Sequence, residues 1–284
     1  MGKSADNKTT KEHISKKLII YILILSITAS VLMISLFKTY SIDDYVLLVI
    51  LSVLSIIAET FYILLPKVGA ISVSFAITYS AIILTEPLTA CIISAVGVAL
   101  RFPYKDGIGR VHILNDPIYK TLFNVSQYII NAGIAGITYV SINNNFNIVN
   151  FNFYNPVAGS AALLVYILLN TLFMSVLMSI LLNESFTYIW KSNFFSMMTN
   201  VVLVGLLGIM LAFAYNSYGI GGLLLFFIPL LFARYSFKLY LDMKKNYFDT
   251  MNVLVRAIEA NDPYTSGHSL RVSTYSEAIA KQLG

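Results

Sequence analysis

The residues of this chain that could do chemistry are few. It holds three histidines (His13, His112 and His268), one cysteine (Cys91), and one acid, Glu59, that lies clearly inside an apolar run. A lone cysteine allows neither an intrachain disulfide nor a cysteine-based metal site. No His-Asp dipeptide occurs anywhere. The one concentrated stretch is Asp262-Pro263-Tyr264-Thr265-Ser266-Gly267-His268-Ser269-Leu270-Arg271-Val272. Pro263 stops a preceding helix, and Thr265 or Ser266 can cap the next by accepting a backbone N–H. His268 then falls in the first turn with Arg271 on the same face at i+3. A single histidine at a helix start is by itself an ordinary polar surface residue, because a metal ion needs several ligands at once.

These residues are set in an unusual background. Of 284 residues, 57% are hydrophobic and 12% charged, about half the charge of a typical soluble domain, ~25%. Leu18–Phe37 carries no charge over 20 residues, enough to cross a hydrocarbon core of about 30 Å at about 1.5 Å rise per residue. It is too long, and too poor in a small-residue cleavage site, for a cleaved signal peptide. The composition predicts an all-α, polytopic helical membrane protein. Its spans are 18–37, 45–65, 68–85, 87–102, 118–141, 157–182, 193–215 and 219–236. About eight helices then cross the bilayer, or six if the Ser/Ala/Gly-rich hairpin 68–102, turning at Glu86–Pro87, is re-entrant. Asn124, Gln127 and Asn131 are spaced 3 and 4 on one face of the fifth span, a face that must meet protein or water rather than lipid. Glu59 reads as an interfacial or partner-bonded residue, since charges near helix ends reach water cheaply. Residues 142–156 form the one sizeable outside connection.

With the basic tail 1–17 placed inside, 18 of the 19 Lys and Arg residues fall on that side and only Lys38 lies outside. This is the asymmetry of the positive-inside rule. It argues for a plasma-membrane protein with both termini cytoplasmic, and for lipid rather than nucleic acid as the partner of the net charge of +5.

Between Pro229 and the Asn261–Asp262–Pro263 break there is no Gly or Pro, so the last span can continue as one helix of about 30 residues, roughly 45 Å. In its cytoplasmic part, 237–260, the residues Tyr240, Lys244, Tyr247, Met251, Leu254 and Ile258 recur at 4, 3, 4, 3, 4. That is heptad spacing. Two outcomes are open: a helix packed on its own downstream domain, or a parallel homodimeric signalling helix joined along Tyr247, Met251, Leu254 and Ile258. Beyond the break, Val272, Tyr275, Ile279 and Leu283 make one apolar stripe.

The run Leu254 to Val272, with Ile258-Glu259-Ala260, Asp262-Pro263-Tyr264-Thr265 and Gly267-His268-Ser269-Leu270-Arg271-Val272, resembles the start of an HD-GYP domain. That family comprises metal-dependent phosphohydrolases of the HD superfamily that cleave cyclic di-GMP. The resemblance covers about 30 residues, 261–284 being the domain's beginning. It implies that His268 is a metal ligand, that Tyr264, where some members carry glutamate, marks a two-metal parent, and that Arg271 is a candidate for substrate phosphate. A divalent metal, iron or manganese, is implied for the complete domain and cyclic di-GMP for the full-length parent. The His-Asp pair, the later His and Asp ligands and the Gly-Tyr-Pro motif do not occur in these 284 residues, and one candidate ligand cannot hold a bridging hydroxide between two cations. The expectation is a membrane sensor portion, residues 18–236, joined to an incomplete catalytic domain that binds no metal stably. A multi-span transporter or small-molecule binder with a chance C-terminal resemblance is the alternative.

The charge distribution yields a direct test. Reporter fusions at Lys17 and at Gly284 are expected to report cytoplasmic ends at both; an external signal from either would overturn the even number of crossings.

Overall fold

The computed structural model describes residues 15–61, 63–65, 69–71, 73–105, 109–113, 115–145, 154–260 and 267–283. The basic tail 1–14, the break 261–266, most of the 142–156 connection, Gly284 and the side chains of Ile258 and Leu283 lie outside the described residues. Eight helices account for nearly all of the described chain: α1 Lys16–Thr39, α2 Tyr45–Thr60, α3 Ser74–Leu84, α4 Pro87–Ala99, α5 Ile118–Asn145, α6 Pro156–Leu182, α7 Phe186–Ala260 and α8 His268–Leu283. The chain divides into two compact units, Met1–Ile228 and Pro229–Gly284.

Local signals start and stop the helices of the first unit. Asp44 caps α2 by accepting the Leu47 N–H at 2.9 Å, and Asn155 caps α6 by accepting from Val157 and Ala158. Both caps satisfy donors that the first turn leaves bare. Pro87 and Pro156 open α4 and α6, where a missing N–H costs nothing. Asn183 closes α6 in the left-handed region, φ 55°.

Among the described residues, four helices are long and apolar enough to cross a membrane: α1, α5, α6 and the 202–257 part of α7. The count of about eight full-length spans is not what the backbone displays. The predicted span 45–65 is helical only to Thr60; Ile63–Leu65 instead forms β1, paired antiparallel with β2, Gly69–Ile71, in the register Ile63↔Ile71 and Leu65↔Gly69. Pro66 explains the change, since the residue before a proline is driven to extended backbone. The predicted span 87–102 is helical only to Ala99, and a second short hairpin, β3 (Tyr104–Lys105) with β4 (Gly109–Arg110), follows it. The helices α3 and α4 have 11 and 13 residues, about 17 and 20 Å, well short of a hydrocarbon core.

The hairpin α3–α4 is enclosed by protein. Every residue from Ser74 to Ile83 is buried, so its hydroxyls at Ser74, Thr78 and Ser80 are surrounded by protein. Close approach requires small residues. A Cβ on Gly97 of α4 would lie 2.0 Å from Ser55 Oγ and 3.3 Å from the Ser55 backbone carbon on α2. On α5, one at Gly133 would lie 3.0 Å from Cys91 Sγ, and one at Gly136 3.1 Å from Pro87. The buried Cys91 is packing, its thiol 3.4 Å from the Ile129 carbonyl. Around this centre α1 presents Leu18, Ile22, Leu25 and Ala29 to Phe123 and Ile130 of α5, at helical spacing. Its other faces leave Ile20, Leu23, Ile24, Ile27 and Val31 exposed. Such an apolar outer surface suits lipid and would be an aggregation liability in water.

The expected separation of spans seven and eight is visible as one break inside α7. Gly219 adopts φ 61°, ψ −148°, backbone open to glycine and strained for other residues. A Cβ on Gly222 would lie 2.3 Å from the Ala214 carbonyl oxygen, although eight residues of straight helix would separate them by about 12 Å. The chain therefore doubles back at Gly219. In the second unit, the helix runs on to Ala260, as the absence of Gly and Pro predicts.

The glycine contacts set up a comparison. Gly97→Leu is expected to destabilise the bundle by at least about 1–3 kcal/mol through overpacking against α2. Gly221→Ala, whose Cβ would meet nothing within 4 Å, is expected to be neutral or stabilising by up to about 1 kcal/mol. Thermal unfolding in detergent reads both.

Candidate functional site

The strongest polar constellation of the first unit is built on Glu59. The residue sits in the last turn of α2 and its side chain is 1% exposed. An ionised carboxylate in such a place is costly unless its charge is matched and its lone pairs are filled. Both needs are met from three other elements. Arg101, just past α4, donates from Nη1 to Glu59 Oε2 at 3.1 Å. Ser74, the first residue of α3, donates its hydroxyl to Oε1, and Tyr128 of α5 donates to the same oxygen at 3.0 Å. Arg101 is 26% exposed, so its guanidinium links the buried acid to the edge of the bundle. Beside it, the Thr60 hydroxyl accepts the Phe102 N–H at 3.3 Å, which ties the exit of α4 to the end of α2.

A second cluster continues the polar interior along α5. Gln127 Nε2 donates to Asn170 Oδ1 of α6 at 2.6 Å, and Asn131 Nδ2 reaches the same oxygen at 3.4 Å. Gln127 and Asn131 are buried, so two of the three polar residues predicted on one face meet protein. The third, Asn124, lines a cavity of about 600 Å³ between α1, α5 and α6. Sequence reasoning picked out Glu59 and the α5 face but missed their partners. Asn170, an amide in the middle of an otherwise apolar run, was the signal available for one of them. Ser74 and Tyr128 carried none, because hydroxyls in apolar helices are common.

Chemically the Glu59 centre is a lock. All its donors converge on one carboxylate, and a charge pair in a low-dielectric interior holds its geometry better than it offers it to a ligand. On the other face of Arg101 a polar cleft lined by His112 and Asp116 has a volume of about 20 Å³, room for about one water molecule.

The residues singled out by motif lie in the second unit. His268 is the first residue of α8 and is exposed, as is Arg271. They share the first turn, and the Arg271 N–H donates to the Gly267 carbonyl at 3.1 Å. Gly267 adopts φ 72°, the left-handed backbone that favours glycine. Asp262, Pro263, Tyr264, Thr265 and Ser266 lie outside the described residues. Tyr247, Met251 and Leu254 are exposed along the α7 helix, and so are Val272, Tyr275 and Ile279 on α8.

The lock makes a sharp energetic prediction. Arg101→Met leaves an unpaired buried carboxylate and is expected to cost about 3–5 kcal/mol, reduced toward the lower end by the exposure of Arg101. Combining it with Glu59→Gln is expected to recover more than half of that loss, because the neutral amide still bonds to Ser74 and Tyr128. Unfolding free energies of the single and double variants in detergent test this coupling. Compared with protein-family models, curated proteins and solved structures, the chain matches none of them.

Proposed function

We propose that this chain is the membrane-embedded sensory and regulatory portion of an HD-GYP-type phosphohydrolase acting on cyclic di-GMP. The reading is carried by one observation in the second unit. Helix continues to Ala260 and resumes at His268 behind a glycine with φ 72°. Gly267 and His268 of the stretch that carries the resemblance thus stand at the start of a helix. The helix between Pro229 and Ala260 joins the bundle to the hydrolase portion along the chain. Its exposed Tyr240, Tyr247, Met251 and Leu254 at heptad spacing form a seam that a second copy covers in a parallel homodimer. In this reading both termini are cytoplasmic, and changes in the membrane bundle alter the pairing of the two helices.

His268 stands exposed at a helix start, and among the described residues no three His, Cys, Asp or Glu side chains come together to hold an ion. No hydrolytic step is assigned to residues 1–284. The role given to His268 and Arg271 is to contribute one ligand and one phosphate contact to a site completed by residues C-terminal to α8.

A second reading, a transporter or small-molecule-binding membrane protein, draws on the Glu59–Arg101 pair, since paired intramembrane charges often mark transport routes. The four-element lock around Glu59 speaks for a structural role instead.

Two measurements decide between the readings. Residues 1–284 alone are expected to leave cyclic di-GMP intact with or without manganese or iron. The product of the whole coding frame is expected to carry a His-Asp pair and a Gly-Tyr-Pro motif after α8, and to hydrolyse cyclic di-GMP in a manner abolished by His268→Ala. A frame without those motifs, or turnover by residues 1–284 that His268→Ala removes, would defeat this assignment.

A further inference from the structure

The cavity between α1, α5 and α6 has no part in the Glu59 lock or the motif. It measures about 600 Å³, within the range of roughly 300–1,000 Å³ found for small-molecule sites. Its walls are apolar: Leu18 and Ile22 of α1, Phe123 of α5, Leu177 and Ile180 of α6. Its polar groups gather at one end. Ser15 lies just before α1, while Lys120 and Asn124 occupy the first two turns of α5. Lys16 and Lys17 open α1 beside it, and neither α1 nor α5 has an acid in its first turn. The side chain of Lys120 is exposed, with Nζ 5.7 Å from the centroid of the Tyr119 ring, and it makes no ion pair among the described residues. Asp116, the nearest acid before α5, lines the small cleft with Arg101 and His112 instead.

An apolar slot with cations at its mouth, opening at the end of helices that span a bilayer, has the chemistry of an amphiphile site. The geometry points to a resident anionic phospholipid, with part of one acyl chain between α1, α5 and α6 and its phosphate at Lys120, Ser15 and the start of α1. From Ser15 to Ile22 the wall runs about 10 Å along the helix, which holds the upper half of a chain and leaves the rest in the bilayer. A phospholipid fits better than a soluble anion, because the walls bury hydrocarbon and the charge lies only at the rim. It fits better than a zwitterionic lipid, because the three lysines at the mouth make no ion pair among the described residues. The inference rests on the bundle spanning a bilayer and not on the phosphohydrolase reading, so it survives if that reading fails.

The test uses the full chain in detergent, loaded with phosphatidylglycerol or phosphatidylcholine of identical acyl chains, and counts bound lipids by native mass spectrometry. One phosphatidylglycerol per chain is expected, retained about fivefold or more over phosphatidylcholine, the discrimination one interfacial cation provides. Lys120→Gln is expected to lower that preference several-fold, and the triple replacement of Lys16, Lys17 and Lys120 by glutamine to bring the two lipids close to parity. Leu181→Trp, at an exposed position of the cavity wall, is expected to reduce retention of both without loss of the fold. Equal retention of the two lipids by the unaltered chain would overturn the proposal. So would displacement of phosphatidylglycerol by an equal amount of oleate, which would make a single-chain carboxylate the occupant. The third overturning result is selectivity that follows Lys3, Lys8 and Lys11, replaced together by glutamine, rather than Lys120; that would assign the mouth to the chain's own N-terminal segment.

Discussion

A carboxylate in an apolar interior must be matched in charge and filled in its hydrogen bonds, and the way this is done for Glu59 governs the first unit. The acid lies on α2, its cation follows α4, and its two hydroxyl donors belong to α3 and α5. Displacing any one of these elements uncovers a buried charge, so the four are held at one common level. The enclosed α3–α4 hairpin is held further by the Tyr79 hydroxyl, which donates to the Gly159 carbonyl of α6 at 2.8 Å, whereas its apolar contacts slide without strong directional cost.

Small residues make that enclosure possible. Gly97 admits Ser55, Gly133 admits Cys91, and Gly136 admits Pro87, which brings backbones close enough for dispersion to hold helices together where lipid offers no hydrophobic gain. The polar interior along α5 follows from the same enclosure. Gln127 and Asn131 donate to Asn170 between α5 and α6, which they could not do facing hydrocarbon. A bundle fixed at its centre and solvated by lipid outside can respond at its periphery, where the cavity at the ends of α1, α5 and α6 lies. Under the sensor reading, that cavity is where membrane composition would reach the protein.

The second unit follows a different rule. Its helix is polar and apolar by turns, and its large apolar side chains at Tyr247, Met251 and Leu254 remain exposed in the single chain. Each such residue left uncovered forgoes roughly 1.5–3 kcal/mol of burial, and a lone helix in water gains little to offset that. The stripe of α8 has the same need. Both therefore call for partners, either a second copy or further helices of the same domain.

The sequence by itself determined the helical class, the apolar outer face, the separation of 193–215 from 219–236, and the inward side of α5. These are local or periodic properties: hydropathy over twenty residues, a glycine or proline at one position, spacing of 3 and 4. It also isolated Glu59 and His268 as the residues whose chemistry needed an explanation. Only the tertiary structure decided that the helix in 45–65 stops at Thr60 and gives way to a hairpin, and that 68–102 holds two short helices enclosed by protein. It alone brought Arg101 to Glu59 across 42 positions. An apolar run has the same composition whether it faces lipid or protein, so hydropathy cannot tell a spanning helix from a buried one. Which hydroxyl or guanidinium meets a buried acid depends on how helices pack, and that is set by contacts between segments far apart in the chain.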